Sequence, residues 1–162
     1  MPRNNSEDFR RTTYHESGHA LAAHILGRRP SLLQVFDSPR EDGAHGQCLA
    51  RTGLYLNELN PSDPADRKLV GQCVVVALAG PMSEWMYSGD PQVGGEDDRD
   101  VALRYLQFLQ PGAVDKDLCP YAEIAQNLLK TLWQGVEALV QRLKKNRILS
   151  GYQISQILDA GR

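Results

Sequence analysis

The five residues His15-Glu16-Ser17-Gly18-His19 constrain this chain more than any other feature of its sequence. Residues four apart project from nearly the same face of an α-helix, so a helix here lets His15 and His19 each offer a ring nitrogen to one metal ion. Glu16 then points to the adjacent side of the helix. The pattern therefore predicts a helix that carries two zinc ligands and one general base.

The chemistry expected of such a helix is hydrolysis. Zinc held by three protein groups keeps a fourth position for water, lowers the pKa of that water to about 7 and polarises a carbonyl oxygen. Glu16 would take the proton from the water and pass it to a leaving amine. The alternative is a coincidental pattern, which is expected in roughly one chain of this size in a few hundred.

The two remaining histidines are weaker candidates for the site. His24 is five residues past His19, which turns it away from the zinc-binding face, so it is expected to be a surface or partly packed residue. His45 falls in a predicted hairpin, where it could approach a substrate, but a polar strand residue is the more ordinary interpretation.

Composition limits the other classes of function. The 162 residues suit one domain, and 18 basic against 20 acidic residues give a net charge of −2 without a long basic run, so no nucleic-acid partner is expected. Three widely spaced cysteines indicate buried, reduced thiols in a cytosolic protein. The polar start and the short apolar run at 73–79 predict a cytoplasmic chain with no leader and no membrane partner.

Hydrophobic periodicity and capping residues predict a mainly α (α+β) fold with a small antiparallel β element. Ser6 can cap the first helix and Gly27 can end it, and Asp63-Pro64 can start another. Gly80-Pro81 is expected to break or kink that second helix. The predicted helices are 7–26, 65–87, 99–110, 121–145 and a short last helix capped by Ser150 and Gln153, and the predicted strands are 32–37 and 45–51, with little sheet beyond them.

Four stretches, in the same order, resemble the peptidase domain of the FtsH family, the ATP-dependent zinc proteases. The likeness is closest at the zinc motif and covers nearly all the chain, although Ala79 and Pro81 depart from the family's glycine and arginine. It implies a single zincin-like domain over 1–162, with a zinc-site part at 1–110 and a C-terminal helical part at 111–162. The four stretches are 12–21 (TTYHESGHAL), 78–84 (LAGPMSE), 94–102 (GGEDDRDVA) and 148–154 (ILSGYQI).

The resemblance also implies the third zinc ligand, an aspartate that aligns with Asp98. In support, Asp97 can act as the N-cap of its helix while Asp100 reaches back, which leaves Asp98 free to point at the metal. Asp97, Asp100 and Glu84 are the alternative ligands, and each acidic residue at the helix start could instead be a solvated carboxylate. Glu84 has two further interpretations, as the carboxylate that orients a ligand histidine or as an ordinary exposed residue.

The family's ATPase module has no counterpart in the sequence, which lacks a Gly-x-x-x-x-Gly-Lys-Ser/Thr phosphate loop. The resemblance therefore implies a stand-alone peptidase domain that acts on unfolded or short polypeptides, or one that works with a separate ATPase or a self-oligomer. The strand at Gly46, Gln47 and Cys48 could pair with an extended substrate, as edge strands do in zincins, or could be a structural hairpin strand.

Three functions remain open from the sequence. The first is an active zinc endopeptidase with one Zn²⁺ per chain, held by His15, His19 and Asp98, and with Glu16 as its base. The second is a non-catalytic zinc-binding or partner-binding domain derived from a protease. The third is a regulatory metallopeptidase that cleaves one specific partner.

Overall fold

The computed structural model describes residues 6–50, 55–90 and 95–160. Over these residues the fold is mainly α-helical with one small antiparallel sheet, as the sequence predicts. Two short 3-10 helices, at Leu56–Glu58 and Asp115–Leu118, lie in the connections. The helices and strands are α1 (Ser6–Ile25), β1 (Leu32–Val35), β2 (Gly46–Leu49), α2 (Pro64–Ser88), α3 (Glu96–Leu109), α4 (Cys119–Thr131), α5 (Trp133–Asn146), β3 (Ile148–Ser150) and α6 (Gly151–Asp159).

Helices α1 and α2 pack closely at the centre of the molecule. Gly18 of α1 is buried, and a Cβ placed on it would lie 2.5 Å from the carbonyl oxygen of Ala79 and 2.5 Å from the Cβ of Ser83. The hydroxyl of Ser83 also donates a hydrogen bond to the carbonyl oxygen of Tyr14, at 2.7 Å. A side chain at position 18 would therefore force the two helices apart.

Helix α2 runs continuously through Gly80 and Pro81. Of the break or kink predicted there, the break is therefore wrong. Pro81 has no N–H to donate within the helix, a loss that usually interrupts helices. Here most of the helix on the N-terminal side of Pro81 is buried against its neighbours, and Ser83 and Glu84 beyond it are buried too. Tertiary packing therefore outweighs the local cost of the proline.

The length and composition of α2 also meet the criteria for a membrane-spanning helix. Of its most apolar 18-residue window, 61% is buried inside the described fold. The core helix of a globular domain meets the same criteria, so this feature is weak evidence for a span. The cytoplasmic location stays a prediction.

The sheet has the strand order β2-β1-β3, and both pairings are antiparallel. The β1–β2 pair was predicted, but the third strand was not, because three residues between two helices are too short to show a period-two pattern. Leu33 and Val35 of β1 and Leu149 of β3 face the core and are fully or almost fully buried. The C-terminal part of the chain thereby joins the same hydrophobic core as α1 and α2.

The C-terminal region differs from its prediction in one respect. The predicted helix 121–145 is two helices, α4 and α5, which are separated at Leu132. The apolar repeat continues across this break because Leu132 itself is half-buried against the core. The predicted capping box between Ser150 and Gln153, the N-cap Asp63 and the left-handed Gly27 are confirmed.

The cysteines are less buried than the sequence predicts. All three are free thiols, as predicted, but only Cys73 is buried. Cys48 is half-buried and Cys119 is exposed.

We expect Gly18→Ala to lower the free energy of unfolding by about 1–3 kcal/mol, because its Cβ meets the carbonyl oxygen of Ala79 and the Cβ of Ser83, which can move aside only if α2 shifts. Gly71→Ala, on α2, is the matched control. Its Cβ would make only ordinary contacts, at 3.9 and 4.0 Å, so the better helix propensity of alanine should stabilise the protein by about 0.5–1 kcal/mol. Urea unfolding measures both changes, and equal effects of the two substitutions would contradict the close packing.

Candidate metal centre

The two histidines of α1 face each other across a short gap. Their Nε2 atoms lie 3.2 Å apart, and their rings meet edge to face, with centroids 4.9 Å apart and planes at 73°. Each side chain is only 12% exposed. One helical turn thus presents two imidazole nitrogens to a single point, as the four-residue spacing predicts.

The other ring nitrogen of each histidine is held by α2. Nδ1 of His19 lies 2.8 Å from the carbonyl oxygen of Val76, and Nδ1 of His15 lies 2.8 Å from Oε2 of Glu84. A carbonyl or a carboxylate can only accept, so in both rings Nδ1 carries the proton that is donated. In the neutral rings the Nε2 lone pairs are then directed at the gap, which is the tautomer that a metal ligand needs.

Asp98 brings a carboxylate to the same gap from the first turn of α3. Its Oδ2 lies 2.7 Å from Nε2 of His15 and 3.3 Å from Nε2 of His19. The capping argument that predicted this orientation is wrong, because Asp97 is not the N-cap. The N-cap position belongs to Gly95, with φ 123° and no side-chain cap, and α3 already begins at Glu96.

The predicted alternatives to Asp98 have distinct places. Asp97 is exposed and lines the cleft described below, outside the cluster of donor atoms, and Asp100 is also exposed. Glu84 is only 4% exposed, which rules out the ordinary surface residue, and it contacts Nδ1 of His15 rather than the gap between the rings. The structure therefore places Glu84 behind a candidate ligand.

The three donor atoms suit a zinc ion. Those of His15, His19 and Asp98 all lie within 4.8 Å of one another, the one such group within the described residues. Tetrahedral zinc with bonds of about 2.0–2.1 Å keeps its ligands roughly 3.3 Å apart. Two of the observed spacings, 3.2 and 3.3 Å, match that value, and the third, 2.7 Å, is that of a hydrogen-bonded pair.

The space around the donors is shaped for the rings. A Cβ on Gly80 of α2 would lie 2.2 Å from Nε2 of His19, so only glycine leaves room for this imidazole. Two neutral Nε2 lone pairs at 3.2 Å repel each other unless a cation or a proton lies between them. Both observations fit a metal at this position.

The titratable groups of the centre shift one another's pKa values. Burial raises the pKa of Asp98, but the nearby His19 and His15 outweigh burial and hold it well below its ordinary value. Burial also raises the pKa of Glu16, an effect that the two histidines oppose. For His15, burial lowers the pKa, but hydrogen bonds with Asp98 and Glu84 outweigh it and raise the pKa to about 10. Without a metal, a proton on His15 therefore takes the place of the cation.

The centre lies in a cleft of about 1400 Å³, which Glu16 and the three donors line. The substrate-strand candidates Gly46, Gln47 and Cys48 line the same cleft. Gly46 packs directly on Glu16, the predicted base, since a Cβ there would lie 2.8 Å from Cγ of Glu16. Within the described sheet, β2 is an edge strand.

The remaining histidines differ in their relation to the cleft. His24 lies outside it, and its Nε2 is 2.8 Å from Oδ1 of Asp159 in α6. His45 lines the cleft immediately before β2. The expectation for His24 is confirmed, because it is partly buried. His45 lies just outside β2, so its interpretation as a strand residue is wrong, and its approach to a substrate stays a prediction.

Two contributors to the centre were not found from the sequence. The carbonyl of Val76 accepts a hydrogen bond from His19, and a backbone partner cannot be predicted from a pattern of side chains. Arg11 contacts Glu84 from the turn before His15, and its spacing of four residues from His15 was the signal that could have revealed it.

Comparison with known proteins finds distant relatives of the chain. No profile of a known protein family matches the chain. ATP-dependent zinc metalloprotease FtsH 3 from Conexibacter woesei is 35% identical over 92 residues, and ATP-dependent zinc metalloprotease FtsH from Thermus thermophilus is 35% identical over 91 residues. These matches cover 57% and 56% of this chain but only 11% and 13% of the two proteins. They are distant and support a relationship to the FtsH-related family.

We expect Asp98→Ala to raise the dissociation constant for zinc by more than about 100-fold, since it removes a direct donor and loss of an outer partner alone costs about 10- to 100-fold. Asp97→Ala is the control, because it removes the same charge from the exposed neighbour. Competition with a chromogenic chelator measures both constants. Tight binding by Asp98→Ala together with loss in Asp97→Ala or Glu84→Ala would assign the third ligand elsewhere.

The metal-free protein should lose stability as the pH rises. A histidine whose pKa is raised from 6.5 to about 10 stabilises the folded state fully below pH 6.5 and loses that contribution as the pH passes 10. Urea unfolding in a chelator, at pH 6.5 and at about pH 9.5, measures the loss. His15→Gln should reduce this pH dependence, and an unchanged dependence in that variant would assign it to other groups.

Proposed function

We propose that this protein is a zinc-dependent peptidase that hydrolyses peptide bonds in unfolded or short polypeptides. One observation carries the proposal: two Nε2 atoms and one carboxylate oxygen converge within 4.8 Å, and Glu16 lines the same cleft. The names of the two distant relatives, both zinc metalloproteases, support it. His15, His19 and Asp98 hold one zinc ion per chain.

Zinc bound by two imidazoles and one carboxylate supplies a Lewis acid that polarises a peptide carbonyl and makes water more acidic. The protein residues do the rest. Val76 and Glu84 hold the imidazoles by their Nδ1 atoms, so the Nε2 atoms stay directed at the centre. Glu16 accepts the proton of the attacking water on its carboxylate and donates it to the amine that leaves.

Strand β2 is the element that orients the substrate in this proposal. It is a short edge strand above α1, and an extended peptide can add to such an edge through backbone hydrogen bonds. Because Gly46 packs against Glu16, a peptide aligned on β2 passes close to the base. Backbone pairing of this kind accepts many sequences, which suits a substrate defined by being unfolded.

Unfolded substrates must also be brought to the cleft. The relatives are ATP-dependent, and the 162 residues contain no phosphate loop. We propose that an ATPase outside these residues, or an assembly of several copies of the chain, presents unfolded segments to the cleft.

We expect Glu16→Gln to lower the rate of casein cleavage by about 10²–10⁴-fold, since general base catalysis contributes that much, while zinc stays bound. Glu123→Gln, the same chemical change at an exposed position of α4, should keep the parental rate. Cleavage of casein, with and without a chelator, and zinc content measure the two properties. A parent protein that is fully loaded with zinc but cleaves neither casein nor short peptides would instead be a non-catalytic zinc-binding domain.

A further inference from the structure

Arg11 lies one helical turn before His15 on the same face of α1 and is largely buried, with a side chain only 17% exposed. Its Nε is 3.4 Å from Oε1 of Glu84. The other oxygen of Glu84, Oε2, is 2.8 Å from Nδ1 of His15. One buried carboxylate thus connects the guanidinium to a candidate zinc ligand.

The same guanidinium reaches the end of α2. Its Nη2 atom lies 3.3 Å from the hydroxyl of Ser88 and 3.4 Å from Oδ2 of Asp90. Ser88 is the last residue of α2, and the chain continues from there to α3, which carries Asp98. Arg11 therefore touches both supports of the centre, the carboxylate behind His15 and the start of the connection that leads to the third donor.

We propose that Arg11 is a positioning residue of the zinc centre. Its guanidinium holds the Glu84 carboxylate against His15 and links that carboxylate to the end of α2. This inference rests on the zinc site of the proposed function. A planar guanidinium suits the task because its fork of donors can contact two acceptors at once, which one ammonium group cannot do in the same way.

The charge balance around Glu84 supports this role. A buried carboxylate needs a partner, and one hydrogen bond from a neutral imidazole leaves its negative charge unbalanced. Arg11 is the cation that the structure places on the free oxygen of Glu84. Its Nε is buried and has no hydrogen bond, so its contact with Glu84 is an ion pair at a longer distance.

Zinc affinity of the metal-free chain tests the proposal without any peptidase assay. We expect Arg11→Met to raise the dissociation constant for zinc by about 10- to 100-fold, the usual effect of losing an outer partner. Arg10→Met is the matched control, because it removes the same charge from the exposed adjacent position of α1, and it should stay within about twofold of the parent.

A double-substitution cycle separates positioning from a general loss of stability. If Arg11 acts through Glu84, then Arg11→Met added to Glu84→Gln should weaken zinc binding no further than Glu84→Gln alone. Additive effects, or an Arg11→Met protein that binds zinc as tightly as the parent, would overturn the proposal.

Arg11→Lys provides the test if Arg11→Met does not fold. One ammonium cannot bridge Glu84 and Asp90 as the guanidinium does, so we expect a smaller but measurable loss of affinity, and affinity equal to the parent's would overturn the bridging role. A parent chain that binds no zinc would instead overturn the proposed function itself.

Discussion

The close packing of α1 against α2 is the contact on which the rest of the structure depends. The two helices pass in opposite directions, so that His19 meets Val76 and His15 meets Glu84. Two glycines permit this approach, Gly18 where the backbones touch and Gly80 where the imidazole of His19 fits. If the helices stood further apart, both Nδ1 atoms would lose their partners and the Nε2 atoms would lose their fixed direction.

The charges of the buried groups explain why this arrangement favours a cation. The centre gathers the carboxylates of Glu16, Glu84 and Asp98, and the cation Arg11 lies beside Glu84. With neutral imidazoles, these groups leave two negative charges in a poorly solvated place, which a divalent cation would balance. Burying such an unbalanced group is costly, and this cost explains why, without a metal, protons are drawn onto the histidines instead.

The sheet adds the second half of the cleft to this helical centre. Strand β1 lies between its neighbours and buries Leu33 and Val35, so the position of β2 is set by the core. Gly46 then brings β2 onto Glu16. The C-terminal strand β3 supports β1 from the other side, although Leu149 lies 116 residues after its partner Leu33 in the chain. These contacts form a cleft that is lined by the candidate metal-binding group and by an edge strand.

Local patterns in the sequence determined the mainly α fold, the helix that carries His15 and His19, and the pairing of β1 with β2. They also determined the caps at Asp63 and Ser150. Hydrophobic periodicity, capping residues and turn residues act over a few positions, so they can be read without the tertiary structure. Resemblance to a known family pointed to Asp98. Tertiary structure alone decided the unbroken α2, the strand β3, the partners Val76 and Arg11, and the burial of Glu84. Each of these depends on groups far apart in the chain that meet only when the core forms, and packing there can outweigh a local preference such as that of Pro81.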